Sequence, residues 1–457
     1  MGKRSDIRVR EAVIAFRDHT YRCPIKFGGK TSTAATDHQV VVTVETRDGR
    51  VADGFGAMPL SETWAFPTDA VPVETKLDVM KELAALLPES IAEPLHPLDI
   101  AHAFEPMLFD AAGELSRERG LAAPIPKMCA LVVNSALDAA INDAFGKAHG
   151  VNVFETYGPE FVTNDLSHYL DDAFAGEYPD AYVLARPLDR MPLYHLVGAL
   201  DPLTGAAVAT PVGDGGPETL GDWIRADGLT HLKIKLNGDD LDWDVERVLA
   251  VNRVADAVAP DRAWQFSLDF NERCANVEYL LEFVRRLEEG SPEAFDRTQY
   301  IEQPTARDLR ANPENRMHAA AERKPVVIDE SLVDYESLLL AQEMGYSGVA
   351  LKACKGQSQS VLLGAAAQKR GLFLCVQDLT CTGAAYLHSI GLASRIPGVA
   401  AVEGNGRQYC PAANAGWEQR FPGCFEVRDG TVETGRLAGP GLGCVAPGRE
   451  RETLRNG

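Results

Sequence analysis

From Met191 to Glu403 the chain alternates short apolar runs with helical stretches, and this alternation restricts the fold more than any other feature. The apolar runs are LYHLVGAL, HLKIKL, WQFSLDF, QYIEQP, PVVIDE, SGVALK, LFLCVQD and VAAVEG. Between them lie segments of helical periodicity, including LDWDVERVLAVNRVADAV, NVEYLLEFVRRLEE, ENRMHAAAER and DYESLLLAQEMG. Eight strands at intervals of about 25–35 residues match a parallel (β/α)8 barrel, which needs ~250 residues, better than an open doubly wound sheet. The predicted fold class is therefore α/β, built on a TIM-type barrel.

The 457 residues exceed what one core normally organises, and the segment before the barrel has a different pattern. IRVREAVIAF and HQVVVTVETRDGRVADGFGAM alternate as strands do, the second folding back at Asp48-Gly49. ETKLDVMKELAALL and ALVVNSALDAAINDAFGKAHG read as helices, the latter ending at Gly150. We expect an α+β capping domain over residues 1–190, the barrel over 191–403, and a C-terminal return segment over 404–457. That segment is Gly- and Pro-rich and is expected to pack back on the capping domain, with disorder in the final GRERETLRNG.

The formal net charge of −21 argues against nucleic acid or an anionic membrane as a general partner. No apolar run approaches the roughly 20 residues that span a bilayer. MGKRSDIRVREAV carries no apolar signal core, so a cytoplasmic location is the expectation. The nine cysteines are scattered without a C-x-x-C pair, which suits reduced thiols filling the core.

The charged residues fall at the strand ends. Six apolar runs finish on Lys235, Asp269, Glu302, Asp329, Lys352 or Glu403, and a seventh on Asp378. Strand C-termini in a barrel form one face, so these side chains converge. Asp269, Glu302 and Asp329 come from consecutive strands and would repel one another unless a cation sat among them. All-oxygen ligation calls for a hard ion, Mg²⁺ ahead of Mn²⁺ or Ca²⁺. Lys233 and Lys235 share a face by the two-residue period of a strand. Two ammonium groups so close should depress each other's pKa and ready one of them as a general base. Lys352 lies on the opposite side, as removal of a proton from one face and its return to the other requires.

The segments HLKIKLNG, SLDFNE, YIEQP, VIDES, VALKACK and VEGNG, taken in order, resemble the strand-end motifs of the enolase superfamily, nearest its muconate-lactonizing and mandelate racemase-like members. A weaker resemblance runs through ALVVNSALDAAINDAFGKAHGVNVFETYG. The resemblance implies one Mg²⁺ on Asp269, Glu302 and Asp329, with Lys235 and Lys352 as the acid/base pair and Lys233 modulating Lys235. It further implies that the substrate carboxylate binds the metal and that loss of its α-proton gives a metal-stabilised enediolate.

Some positions depart from that pattern. LKACKGQSQS stands where Gly-Gly is usual, and Lys355 competes with Lys352; Lys352 is preferred because it directly ends SGVALK. Glu330 follows Asp329, so alternation and the family pattern assign the ligand. Gln377-Asp378 and an intrahelical His388 replace the His–Asp dyad of the mandelate-racemase subgroup, and EGNGRQY lacks the Asp-X-Asp of dipeptide-specific relatives. Asp378 is expected to bind a substrate hydroxyl or to cap the next helix. Lys26, in the glycine-containing lid YRCPIKFGGKTS, and Arg407 are expected near the pocket, suiting a small carboxylate with a second anionic or hydroxylated end. Asn271, Glu330 and Glu403 complete the supporting set. The expected activity is epimerisation, racemisation or cycloisomerisation by a homo-oligomer. A sugar-acid dehydratase using the same site is the alternative, and a non-catalytic barrel the remaining one.

Overall fold

The structure, a computed structural model, describes residues 2–444; the GRERETLRNG tail lies outside the described residues. The N-terminal unit opens with two long strands, β1 (Ile7–Phe27) and β2 (Lys30–Thr46), followed by β3 (Val51–Pro59) and β4 (Ile91–Leu95). They form one antiparallel sheet in the order β3-β2-β1-β4. Val40, Val42 and Val44 of β2 are buried, as the period-two pattern requires. The segment expected to be a lid loop is instead the distal half of the β1–β2 ribbon, turning at Gly28-Gly29 with φ of 52° and 75°. Those left-handed values match the twist of a tight hairpin turn. The register slips between Thr20 and Ile25, where Pro24 has no N–H to give the ladder.

The sheet lies on the helix Lys127–His149, whose C-cap is Gly150 at φ 70°. Among the described residues this is the one helix long and apolar enough to cross a membrane, and its surface is taken up inside the fold. Gly54 and Gly56 of β3 make the close approach possible: a Cβ at Gly56 would stand 1.9 Å from the carbonyl oxygen of Ala136. The helix Pro97–Glu118 is not legible from the pattern, because Pro106 sits inside it. ENRMHAAAER forms only the short helix His318–Ala321. The Asn315 side chain there accepts from the Val277 N–H, and the Met317 N–H goes to the Met344 carbonyl, so the preceding turn never closes on itself.

Eight parallel strands follow: β5 (Arg190–Val197), β6 (His231–Lys235), β7 (Gln265–Asp269), β8 (Thr298–Glu302), β9 (Val326–Ile328), β10 (Gly348–Lys352), β11 (Phe373–Gln377) and β12 (Val399–Glu403). Pairing of β12 with β5, Val402 opposite Leu193 and Glu403 opposite Tyr194, closes the barrel. The C-terminal segment adds β13 (Thr431–Glu433) antiparallel to β5, then reaches the capping helix, where Leu442 N–H donates to Asp143.

Gly56→Ala should therefore destabilise the protein by about 2–3 kcal/mol or more. Gly113→Ala, on the helix Pro97–Glu118 with only the tip of Arg117 within 4 Å, should be neutral or stabilising by about 0.5–1 kcal/mol. Thermal denaturation of the two variants would contradict this packing if their midpoints coincided. Acid should also weaken the fold. Burial holds His38 down at about 4 and His96 at about 3, whereas both titrate near ~6.5 when unfolded. The unfolded chain takes up those protons first, so stability is full above ~6.5 and falls as pH drops from there toward the folded values. Urea midpoints should be lower at about pH 5 than at about pH 7.

Candidate metal and proton-transfer site

Strand register builds the site. Lys235 of β6 lies opposite Asp269 of β7, and Asp269 opposite Glu302 of β8. Glu302 pairs with Val327 of β9, which puts Asp329 just past that strand at the same rim. All three acids are fully buried. Lys233 reaches Asp269 at 3.2 Å, Glu302 at 3.0 Å and Glu403 at 2.9 Å. Lys235 Nζ donates to Asp269 Oδ2 and, at 3.0 Å, to Asn271 Oδ1. Across the rim Lys352 lies 2.9 Å from Asp329 Oδ2. Lys355 donates to the Asp329 backbone oxygen at 2.6 Å and to Oδ1 at 3.1 Å.

Lys233 does not have the lowered pKa that two adjacent ammonium groups suggest. Burial pulls Lys233 down, but Glu302, Glu403 and Asp269 outweigh it and hold the ammonium well above its usual range. Lys352 is also raised, burial being overcome chiefly by Asp329. Lys233 and Lys352 both stand against carboxylates, and for Lys233 that reverses the expected sign. Lys355 alone is lowered, by burial. Asp329 is raised by burial and pulled down more strongly by Lys352 and Lys355, to about 2. Asp269 is likewise held below its ordinary value against its burial, by Lys235 and Lys233.

The remaining acids show what the site lacks. Burial, then the Asp269 charge, raise Glu302 well above the usual range. Burial and Asp329 push Glu330 up to about 7, and burial and Glu403 push Asp378 up to about 8. Asp269, Glu302, Asp329, Glu330, Asp378 and Glu403 thus outnumber Lys233, Lys235, Lys352 and Lys355. Buried oxygens short of positive charge are the donor set a hard divalent cation suits. Their rotamers are not closed around an ion: among the described residues no three His, Cys, Asp or Glu side chains converge closely enough to hold one. The Lys233 ammonium stands between the acids instead.

A cavity opens above this lattice. Lys233, Lys235, Asn271, Lys352, Asp378 and Glu403 line its barrel side. Lys355 does not; it lines a separate cavity behind the rim, so of the two only Lys352 lines this one. Asp378 does two things, accepting the N–H groups of Thr380 and Cys381 while lining the cavity. His388 Nε2 donates to Gln357 Oε1 at 2.9 Å, as a structural helix histidine does.

Two expectations need correction. Lys26 is off the cavity wall: Ile25 and Phe27 line it, and the two-residue period turns Lys26 outward. Arg407 is ion-paired to Asp227, donates to His195 at 3.0 Å and lies over Trp223, also off the wall. Other residues enter that the sequence did not single out. Trp64 of the capping unit donates its Nε1–H to Glu330 at 3.0 Å and lays its ring 4.6 Å from the Lys352 ammonium. Gln377 donates to Glu302. Gln377 was within reach of the alternation argument, since it shares an inward face with Cys375; Trp64 follows no period and had no such signal.

The family described as enolase C-terminal domain-like matches residues 218–447. Solved structures agree on the fold. The L-Ala-D/L-Glu epimerase from Bacillus subtilis is 15% identical, with a TM-score of 0.62 over 96% of this chain and 99% of that one. The muconate lactonizing enzyme from Pseudomonas fluorescens is 19% identical, with a TM-score of 0.61 over 98% of each chain. The N-succinyl Arg/Lys racemase from Bacillus cereus is 17% identical, with a TM-score of 0.62 over 98% of this chain and 97% of that one. No curated protein matches the chain.

Trp64→Leu should remove both the indole donor on Glu330 and the ring over Lys352, costing about 1–3 kcal/mol in denaturant unfolding. Trp64→Phe keeps a ring and should lose less. Equal losses would show that the ring contributes nothing at Lys352.

Proposed function

The chain belongs to the enolase superfamily, and on that premise we propose that it moves the proton α to a carboxylate, as an epimerase, racemase or cycloisomerase. One observation carries the reading. Lys235 and Lys352 end the second and sixth strands of an eight-stranded closed barrel, four strands apart, and both line the same cavity. Strands so spaced face each other, so a carbon held between them has one ammonium on each side. One lysine, neutral when it acts, takes the proton from its face; the other, protonated, returns one to the opposite face. Which lysine is the base depends on which configuration of the substrate is bound.

The neighbouring groups set up this exchange. Asn271 Oδ1 accepts from Lys235 and fixes where its nitrogen points. Lys233, held by Glu302, Glu403 and Asp269, keeps a fixed positive charge beside the carbanionic charge that develops on the substrate carboxylate. Trp64, Phe27 and Leu379 exclude water from the carbon being deprotonated. Asp269, Glu302 and Asp329 would hold a divalent cation, Mg²⁺ ahead of Mn²⁺. Bound there, it would neutralise the buried acids and draw charge from the substrate carboxylate, acidifying the α-proton. Glu302→Gln should accordingly weaken Mg²⁺ binding by tenfold or more, about 1.4 kcal/mol, in a calorimetric titration.

A second reading has one observation in its favour. The Asp378 carboxyl, raised to about 8 by burial and Glu403, lines the cavity, and a raised carboxyl is a candidate proton donor. It could give its proton to a departing β-hydroxyl, so that water leaves and the enzyme acts as a dehydratase.

Incubation with Mg²⁺ and a series of carboxylic acids in D₂O separates the two. Deuterium at the α-carbon without loss of water is the expected result, and loss of water would select the lyase. Lys235→Ala should abolish exchange from one configuration and Lys352→Ala from the other. Absence of both exchange and Mg²⁺ affinity would rule out the enzyme reading.

A further inference from the structure

The cavity has two ends of opposite character. On the barrel side it carries every positive charge it has: Lys233, Lys235 and Lys352, each already paired to carboxylates. The capping side is built by the β1–β2 ribbon and by the segment after β3. Tyr21, Ile25, Phe27, Ala34, Ala35 and Pro59 form its wall, and Ser32, Ser61 and Thr63 add neutral hydroxyls. Among the described lining residues this side contributes no lysine or arginine. Its one charged residue is an acid, Glu62. Burial raises the Glu62 pKa, and the Thr63 hydroxyl donates to its carboxylate at 3.5 Å.

The basic residues near this wall are engaged elsewhere. Arg22 is clamped on Asp214 and donates to the Pro217 carbonyl. Lys30 pairs with Asp69, and Arg273 with Asp239. Arg407 is taken by Asp227 and His195, and Lys26 faces outward. Lys76, whose charge reaches Glu62, lies off the wall over the Phe66 ring. An anionic group carried into this end would lose its hydration, meet no cation on the wall and approach Glu62. An apolar group would instead replace water on aromatic and aliphatic surface.

We infer that the substrate is a carboxylate whose far end is uncharged and largely apolar, seated against the β1–β2 ribbon, and that Glu62 rejects substrates with a second carboxylate. This replaces the expectation of a second anionic end and rests on the proposed α-proton chemistry only for which end of the molecule faces the lysines. The ribbon supplies the fit. Its Pro24-associated bulge turns Tyr21 into the cavity, and the Gly28-Gly29 tip lies over the loop after β7, near Asn271 and Arg273.

Two acids of similar length test the inference: α-hydroxy-γ-phenylbutanoate, neutral at its far end, and α-hydroxyadipate, anionic there. Binding to the Mg²⁺-loaded protein is read by thermal shift and by calorimetry, neither of which needs turnover. The phenyl acid should bind about tenfold or more tightly than the dianion. Glu62→Gln should shrink that gap at least about threefold by admitting the dianion. Equal or tighter binding of α-hydroxyadipate overturns the inference, as does no binding by either acid, or a gap unchanged in Glu62→Gln with its melting temperature intact. If the phenyl acid binds with the expected preference but exchanges no deuterium in D₂O, the α-proton chemistry fails and the binding inference stands.

Discussion

The Lys233 ammonium, enclosed by Asp269, Glu302 and Glu403, is the contact on which the rest of the site depends. All four groups are buried, and a buried charge without a partner costs several kcal/mol. The lattice therefore has to be complete or rearranged as a unit. Lys233 ties three strands, β7, β8 and β12, to β6, while Lys352 and Lys355 do the same for Asp329. Glu330 and Asp378, and Glu302 even with its share of Lys233, are driven toward protonation. Charge balance explains both why lysines lie so near the metal-ligand candidates and why a divalent ion suits them.

The capping unit is part of this lattice. Trp64 connects to Lys352 through its ring and to Lys235 through Glu330 and Asn271. Its carbonyl is held by Arg307, itself paired with Glu272. Asn271 and Glu272 both adopt positive φ, 43° and 68°, a conformation that costs a non-glycine residue energy. These two residues link the cap contact to the lysine contact, so the strain is located where the two units meet. The same unit sets the apolar end of the cavity. The capping wall of the cavity is thus mechanically joined to the rim that carries the lysines.

Much of this was legible beforehand. The eight runs from LYHLVGAL to VAAVEG correspond one for one to the barrel strands, because a strand buried on both faces has to be apolar along its length. Strand-end charges were visible for the same reason: against such runs a Lys or Asp stands out. Lys352 could be preferred to Lys355 because it ends SGVALK, and the cavity lies on its side. The helix Pro97–Glu118 escaped because Pro106 breaks its local signature while tertiary packing retains the helix. Lys26 and Arg407 are expected near the pocket, yet one faces away by alternation and the other is paired with Asp227.

The sequence by itself determined the barrel, its closure from eight strands and the gathering of acids and lysines at one rim. These follow from periodicity and chain direction, which are local properties. Only the tertiary structure decided the sign of the lysine pKa shifts, the place of Trp64 and the cation-free, largely apolar character of the far wall. Each of these depends on which groups from distant segments come within about 3–5 Å of one another, where Coulombic and packing energies are set. Residue spacing along the chain carries no information about that distance.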